Sequence, residues 1–139
     1  MDTCLFCKIA AKQIPAHVIR EDGHTLAFLD IHPRSPGHAV VIPKFHAPAI
    51  VGLPDEEVRE LFIAVKNVAQ LLMKSLEPDG ITIGINQGRA SGQEVDHLHV
   101  HLMPRWHNDG GGSVQSVVEN GGTETVEAVK KKILTRAAG

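Results

Sequence analysis

The segment His97–Met103 alternates histidine with aliphatic residues and reads His-Leu-His-Val-His-Leu-Met. Strict alternation over this length is the periodicity of a β-strand, because successive side chains point to opposite faces of a sheet. We therefore predict a strand over residues 96–105, with the three histidines on one face and the aliphatic residues buried on the other. Same-face residues lie roughly 6.6 Å apart, so His97 and His101 would be separated by about 13 Å. One zinc ion could not bind all three imidazoles at that spacing, because Zn–N bonds are about 2 Å long.

A row of imidazoles suits an extended polar ligand such as a phosphate chain. His99, in the middle, is the candidate nucleophile, and attack on phosphorus needs one ring nitrogen with a free lone pair. Its other nitrogen must then donate its N–H to a carbonyl or carboxylate. His101 could donate to phosphate oxygens or, as imidazolium, to a leaving group. The alternatives are three histidines that bind a metal or anion without chemistry, and an exposed strand face that is simply rich in histidine.

The composition limits the classes of partner. The chain has 139 residues, which indicates one domain over 1–139 with a proper hydrophobic core. Its 14 basic and 16 acidic residues give a net charge of −2 without a basic stripe, which argues against nucleic acid as a partner. Polar residues interrupt the most apolar stretch, 61–73, so no membrane span is expected. The first residues lack the pattern of a secretory signal, and we expect a cytoplasmic protein.

The spacing of Cys4 and Cys7 invites a metal interpretation. Without an export signal, reduced thiols are favoured over a disulfide. A tetrahedral structural zinc would need two further ligands from elsewhere in the chain. A single pair of this kind is also compatible with redox chemistry or with two inert thiols.

Periodicity and turn residues predict an antiparallel α+β domain, because hairpin-like strands surround one long amphipathic helix. That helix begins around 53–57, ends before Pro78 and Gly80, and buries a stripe that includes Phe62 and Leu76. A short opening helix is predicted to end near residues 13–15. The predicted strands are 17–21, 25–30, 39–42, 81–87, 96–105 and 113–118, and a last helix covers 123–136 with Thr123 as its N-cap.

A loop, Gly88-Arg89-Ala90-Ser91-Gly92-Gln93, leads into the histidine segment. Glycines allow backbone N–H groups to approach phosphate oxygens, and Gln93 could donate through its amide. Most glycine loops are only turns, but the adjacent histidines favour the phosphate interpretation. Asp30, after a predicted strand, could accept from paired sugar hydroxyls, although an isolated aspartate is more often a turn or cap residue.

Together these segments resemble the histidine-triad (HIT) superfamily of nucleotide hydrolases and transferases over about residues 4–106. The matching segments are Cys4-Leu5-Phe6-Cys7-Lys8-Ile9, Ile14-Pro15-Ala16, Leu26-Ala27-Phe28-Leu29-Asp30-Ile31, Pro36-Gly37-His38, Val41-Ile42-Pro43-Lys44, Gly92-Gln93-Glu94-Val95 and the triad itself. The resemblance implies a HIT fold of about five antiparallel strands with a long helix and a C-terminal helix, assembled as a homodimer with a continuous sheet. Residues 4–106 would form its core and 107–139 a C-terminal extension.

The resemblance also implies cleavage at the α-phosphate of a nucleoside 5′-phosphate derivative, an adenosine phosphoramidate or a dinucleoside polyphosphate. His99 would become nucleotidylated, with His97 and His101 flanking it and His38 supporting them. Asp30 would accept from the ribose. The implied base and sugar pocket consists of Phe6, Ile9, Phe28, Leu29 and Ile31, and the implied phosphate contacts are Asn86, Gly92 and Gln93. The implied zinc ligands are Cys4, Cys7, His46 and His97, in which case His97 orients the strand instead of touching substrate.

Two departures from the family pattern leave its branch open. Glu94 stands where some members have a hydroxyl residue, and a carboxylate cannot donate to phosphate unless it is protonated. The chain also has Met103-Pro104-Arg105-Trp106 and a longer tail where the phosphoramidase-like branch ends in Trp-Pro-Pro-Gly. Two other functions stay open: a nucleotide-binding, zinc-structured interaction module without turnover, and a zinc hydrolase that activates water.

Overall fold

The computed structural model describes residues 3–138. Within these residues, three α-helices and five β-strands follow one another. They are α1 (Leu5–Ala10), β1 (Val18–Glu21), β2 (Thr25–Leu29), β3 (Ala39–Pro43), α2 (Asp55–Leu76), β4 (Gly80–Gly84), β5 (Val100–Arg105) and α3 (Val126–Ala137). Short 3-10 turns lie at Ile50–Gly52, Arg89–Ser91 and Val114–Val117.

The five strands form one antiparallel sheet in the order β1-β2-β3-β5-β4. The predicted α+β class and five-stranded sheet are confirmed. One sheet face packs against α2 through residues such as Val41, Val100 and Leu102, and the other packs against α1 through Val40 and Ile42. The sheet therefore separates two apolar clusters, and the smaller one lies beneath α1.

Helix α2 buries a narrower stripe than its sequence predicts. Leu61, Val65 and Leu72 are buried, whereas Phe62 is 42% exposed and Leu76 is 41% exposed. Phe62 lies at one side of the apolar stripe and Leu76 lies in the last turn of the helix, and the sheet covers neither position completely. The helix ends at Leu76. Glu77 caps it with a left-handed backbone (φ 51°), and the Glu77 N–H donates to the carbonyl of Met73.

The histidine segment is only partly a strand, which corrects the prediction of a strand over 96–105. Strand β5 begins at Val100, so His97 and His99 lie in the segment before it and not in the strand. Its pairing with β3 ends at Val41–Val100, because beyond this point β3 reaches Pro43, which has no N–H to donate. The carbonyl of Pro43 instead accepts a hydrogen bond from the ring of His97.

Other elements also differ from the prediction. Strand β4 ends at Gly84 and not at 87. Residues 114–117 form a 3-10 turn instead of a strand, closed by a bond from the Ser116 N–H to the Ser113 carbonyl. Helix α3 begins after Thr125, whose hydroxyl accepts from the Ala128 N–H, and not after Thr123. Among residues 3–138, none of the helices combines the length and the apolar character needed to cross a bilayer.

Candidate functional site

Four potential metal ligands converge from three parts of the chain. Cys4 caps the N-terminus of α1 by accepting from the Cys7 N–H, His46 follows β3, and His97 precedes β5. The two Nδ1 atoms of His46 and His97 are 3.3 Å apart. Cys7 Sγ lies 3.3 Å from His46 Nδ1 and 3.5 Å from His97 Nδ1, and Cys4 Sγ lies 3.4 Å from His97 Nδ1. Two thiols and two imidazoles in this arrangement could bind a metal ion.

The protonation of this cluster also suits a cation. Because a carbonyl only accepts, the 2.8 Å contact between His97 Nε2 and the Pro43 carbonyl places the ring proton on Nε2. The lone pair of Nδ1 therefore faces the two thiols. Burial lowers the pKa of His97, which keeps the ring neutral. Burial and the neighbouring Cys4 raise the pKa of Cys7 to about 11 without a metal, so binding would release a proton from this thiol.

A hydrogen bond to the main chain of His97, one of the four potential metal ligands, holds His99 in a single tautomer. Its Nδ1 lies 2.8 Å from the main-chain carbonyl of His97, to which it must donate. Nε2 of His99 therefore carries a free lone pair, which is the arrangement that the sequence argument requires of a nucleophile. The ring is buried, and the edge-on ring of Phe6 packs against it at a centroid distance of 5.1 Å.

His101, on the other side of His99, has its tautomer fixed by His38. The main-chain N–H of Arg34 donates to His38 Nδ1 (3.1 Å), so the proton of this ring is on Nε2. That N–H donates to His101 Nδ1 at 2.9 Å, and His101 therefore carries its own proton on Nε2. Asp30 lies beside the pair, with Oδ2 3.7 Å from His38 Nε2.

The protonation state of His101 distinguishes between its two predicted roles, which are hydrogen bonding to phosphate oxygens and proton donation to a leaving group. Burial, with the neighbouring His99 and His38, lowers the pKa of His101 to about 4. Burial also lowers the pKa of His38, although Asp30 opposes the shift. At neutral pH His101 therefore has one N–H and no additional proton. This favours a hydrogen bond to phosphate oxygens over proton donation to a leaving group.

Apolar residues from α1 and β2 form the remainder of the site. Phe6, Ile9 and Phe28 are buried together, and the rings of Phe6 and Phe28 meet edge to face at 5.6 Å. Leu29 is half-buried, and Ile31 projects from the surface with 74% of its side chain exposed. Asp30 lies between them, where its Oδ1 accepts from the His32 N–H. These five apolar residues and Asp30 thus lie on neighbouring segments.

The side chain of Gln93 makes hydrogen bonds within the glycine loop and to the neighbouring chain. Gln93 is buried, and its amide donates to the carbonyls of Pro48 (2.8 Å) and Val95 (3.0 Å) while accepting from the Gly88 N–H. Both amide hydrogens are engaged, so Gln93 holds the loop in shape and would have to break a bond to reach phosphate. Gly92 has a left-handed φ of 101° and is exposed, as is Asn86.

Two features of this region were not assigned from the sequence. Arg89 donates to the carbonyls of Gln93 and Glu94 and pairs with Asp96, tying the loop to the chain before His97. Glu94 lines an open cavity of about 360 Å³ beside Cys4 and His46. The role of Arg89 depends on the folded path of the loop, which no local pattern encodes.

The chain is similar to known proteins in both sequence and fold. Residues 11–108 match the family model of the HIT domain. The chain is 42% identical over 103 residues to an adenosine 5′-monophosphoramidase of Schizosaccharomyces pombe, covering 74% of each chain. A crystal structure of a HIT family member from Bacillus subtilis has a TM-score of 0.85 at 36% identity, covering 98% of this chain and 96% of that one. A Zn-bound histidine triad protein from Mycobacterium smegmatis has a TM-score of 0.74 at 37% identity, covering 78% of this chain and 79% of that one.

Proposed function

Because the chain belongs to the HIT family, we propose that it hydrolyses or transfers a nucleoside 5′-phosphate, most simply an adenosine phosphoramidate, through a covalent nucleotidyl-His99 intermediate. The observation that carries this proposal is the pair of fixed tautomers. His99 offers an Nε2 lone pair, and its neighbour His101 offers an Nε2–H. Their ring centroids are 5.0 Å apart, so one phosphoryl group could contact both. The S. pombe relative, an adenosine 5′-monophosphoramidase, supports the choice of substrate.

The reaction takes two steps. His99 Nε2 attacks the α-phosphorus and forms an N–P bond while the bond to the leaving group breaks, and the leaving amine takes a proton from solvent. His101 donates its N–H to a phosphate oxygen, where negative charge accumulates. Water then attacks phosphorus, the His99 N–P bond breaks, and the nucleoside monophosphate leaves as the surplus proton returns to solvent. Phe6 and Phe28 would face the base or sugar, and Asp30 would accept from the ribose hydroxyls.

We further propose that the Cys4, Cys7, His46 and His97 cluster binds zinc. Tetrahedral ligands at Zn–S and Zn–N bond lengths of about 2.3 and 2.0 Å lie roughly 3.3 to 3.8 Å apart. The observed separations of 3.3 to 3.5 Å fall in this range. The Zn-bound M. smegmatis protein supports the same choice. Four protein ligands leave no open position, so zinc would supply structure by tying α1 to the chain before β5.

The assembly that we propose is a homodimer joined along β4. Within the described residues β4 pairs only with β5, and its sequence Gly-Ile-Thr-Ile-Gly contains neither a charge nor a proline to protect the open edge. Ile83 on this strand is 43% exposed, and the exposed Phe62, Met73 and Leu76 form an apolar stripe on α2. Pairing of two β4 edges would cover such a surface and continue the sheet.

The test is release of nucleoside monophosphate from a panel of adenosine phosphoramidates and dinucleoside polyphosphates. We expect release by the wild type and none by His99→Ala, with a nucleotidyl adduct detected on the wild-type protein by intact-mass spectrometry after rapid acid quench. His17→Ala, which changes an exposed histidine elsewhere, is the matched control and should keep full activity.

Three outcomes would contradict the proposal. Turnover that survives His99→Ala would exclude the covalent mechanism. Nucleotide binding without release by either protein would favour the interaction module. Loss of activity on chelation, with recovery on adding metal and no change in folding, would favour metal-activated water instead.

A further inference from the structure

Beyond its first six residues, the C-terminal arm (residues 107–138) has almost no packing against its own domain. No residue of α3 is buried, and the side chains on its apolar face are open, with Val126 88% and Ile133 59% exposed. Within the described residues, the hydrogen bonds of 113–138 stay inside this segment, as in the pair formed by Lys132 and Glu124. A 12-residue helix is only marginally stable in water without a packing partner.

The accessible surface area of the chain is larger than expected for a compact monomer of its mass. A compact monomer of 15.0 kDa exposes about 7,000 Å². This chain exposes 9383 Å². The excess, on the order of 2,000 Å², matches what each subunit of a permanent dimer buries, since such interfaces total about 2,000 to 5,000 Å². The arm therefore exposes enough surface to form an interface with another molecule.

The start of the arm is firmly anchored at the open edge of the sheet. Arg105, at the end of β5, pairs with Asp109 through two nitrogens at 2.7 and 3.0 Å. The same guanidinium donates to Thr82 Oγ1 on β4 and to the Gly112 carbonyl. This network fixes the turn after β5 against the outermost strand. The arm thus leaves the domain from the edge where a second copy would pair.

The charges of the arm point to one particular surface. Helix α3 contains four basic residues and one acidic residue, and at helical spacing Lys130 and Arg136 flank its apolar stripe. The first six residues of α2 contain four acidic residues and one basic residue. Glu56, Glu60 and Ile63 lie at the helical spacing of one face of α2, and Ile63 is 53% exposed. Helix α3 therefore combines an apolar stripe with basic residues, and the start of α2 combines the exposed Ile63 with acidic residues.

We propose that α3 of each copy docks on the start of α2 of a second copy of this chain, so that the two arms clasp the dimer. This inference rests on the dimer proposed above and is independent of the nucleotide chemistry. Val129 and Ile133 would cover Ile63, and Lys130 and Arg136 would face Glu56 and Glu60.

Exchange of charges between chains tests whether the contact is made across the dimer. One full-length variant carries Glu56→Lys and Glu60→Lys, and the other carries Lys130→Glu and Arg136→Glu. Each variant alone brings like charges together, whereas a mixed dimer restores opposite charges at both contacts. After equal mixing, native mass spectrometry should show mixed dimers at least tenfold above the homodimers. The statistical ratio of 1:2:1 would overturn the proposal, because an arm that packs on its own chain or on nothing gives no such preference.

A second pair of variants tests the apolar contact. Ile133→Glu places a charge in the stripe, and Thr135→Glu places the same charge on the opposite side of the same helix, with no loss of helix propensity in either case. We expect the dimer dissociation constant to rise at least tenfold for the first and less than twofold for the second, by sedimentation at low micromolar concentration. Equal effects would refute docking through this stripe. A wild-type chain that stays monomeric would refute the dimer itself, while the nucleotide-release assay would be unaffected.

Discussion

Removal of the His38 ring should slow the reaction without removing any group that touches substrate. His38 donates to His101 Nδ1 at 2.9 Å, and this bond keeps the proton of His101 on Nε2. In His38→Leu the buried Nδ1 of His101 loses its donor, which costs about 1 to 3 kcal/mol. Moving the proton to Nδ1 would relieve that cost only by removing the Nε2–H from the phosphate.

The same free energy gives the expected loss of rate. At 1.36 kcal/mol for each factor of ten, kcat should fall between about fivefold and about 150-fold. KM should change little, because the apolar pocket and Asp30 are retained. His38→Gln is the matched variant, since its amide can accept from the Arg34 N–H and donate to His101, and it should recover most of the lost rate.

Steady-state hydrolysis of an adenosine phosphoramidate measures both constants, and ¹⁵N NMR of the imidazoles reports the tautomer of His101 directly. The expected spectrum has an Nε2–H tautomer in the wild type and His38→Gln and a mixture in His38→Leu. A folded His38→Leu protein with kcat within twofold of the wild type would refute the argument. A folded His38→Gln protein as slow as His38→Leu would show that the ring itself, and not its donated proton, matters.

Three further predictions concern the metal centre, pH and the backbone. Cys7→Ser should lose the one equivalent of zinc expected per chain and several degrees of melting temperature, and elemental analysis that still finds one equivalent would exclude this thiol as a ligand. The pKa of His101 is lowered from 6.5 to about 4 in the folded state, so its contribution to stability is complete above pH 6.5 and is lost as the pH falls toward 4. Urea unfolding should show that the wild type loses about 2 kcal/mol more between pH 7 and pH 5 than His101→Gln does, and equal losses would contradict this assignment. Gly37 has a φ of 85°, a backbone conformation that strains any L side chain, and an added Cβ would displace the end of the Leu76 side chain, so Gly37→Ala should cost about 1 to 3 kcal/mol of unfolding free energy. Gly23→Ala, where the space is open, should cost less than about 1 kcal/mol, and similar costs at both positions would refute the steric argument.

Local patterns predicted most of the elements because each element has a local cause. Three acidic residues open α2, and period-2 or continuous apolar runs identify β2 and β3. The boundary of β5 could not be read in this way. His97 and Leu98 continue the alternation, but a strand continues only where a neighbouring strand pairs with it, and β3 pairs with β5 only as far as Val41–Val100.

The candidate site also contains residues that local sequence identifies and contacts that it does not. The triad and the paired cysteines are visible as residue types at short spacing, and the family resemblance supplied the distant members His46 and His38. The partners of Gln93 could not be predicted in this way. The sequence shows an amide beside a glycine loop, but only the fold shows that this amide hydrogen-bonds to three backbone groups. Local sequence does not state which partner a polar side chain finds.

The sequence by itself determined the class of the fold, the candidate nucleophile and the donors available to a metal, since these depend on periodicity and on residue chemistry. Only the tertiary structure decided which nitrogen of each histidine carries the proton. The carbonyls of Pro43 and His97 and the N–H of Arg34 set those tautomers, and they come from separate segments of the chain. A hydrogen bond to a ring nitrogen depends on the position of both groups in space, which exists only once the sheet has brought them together.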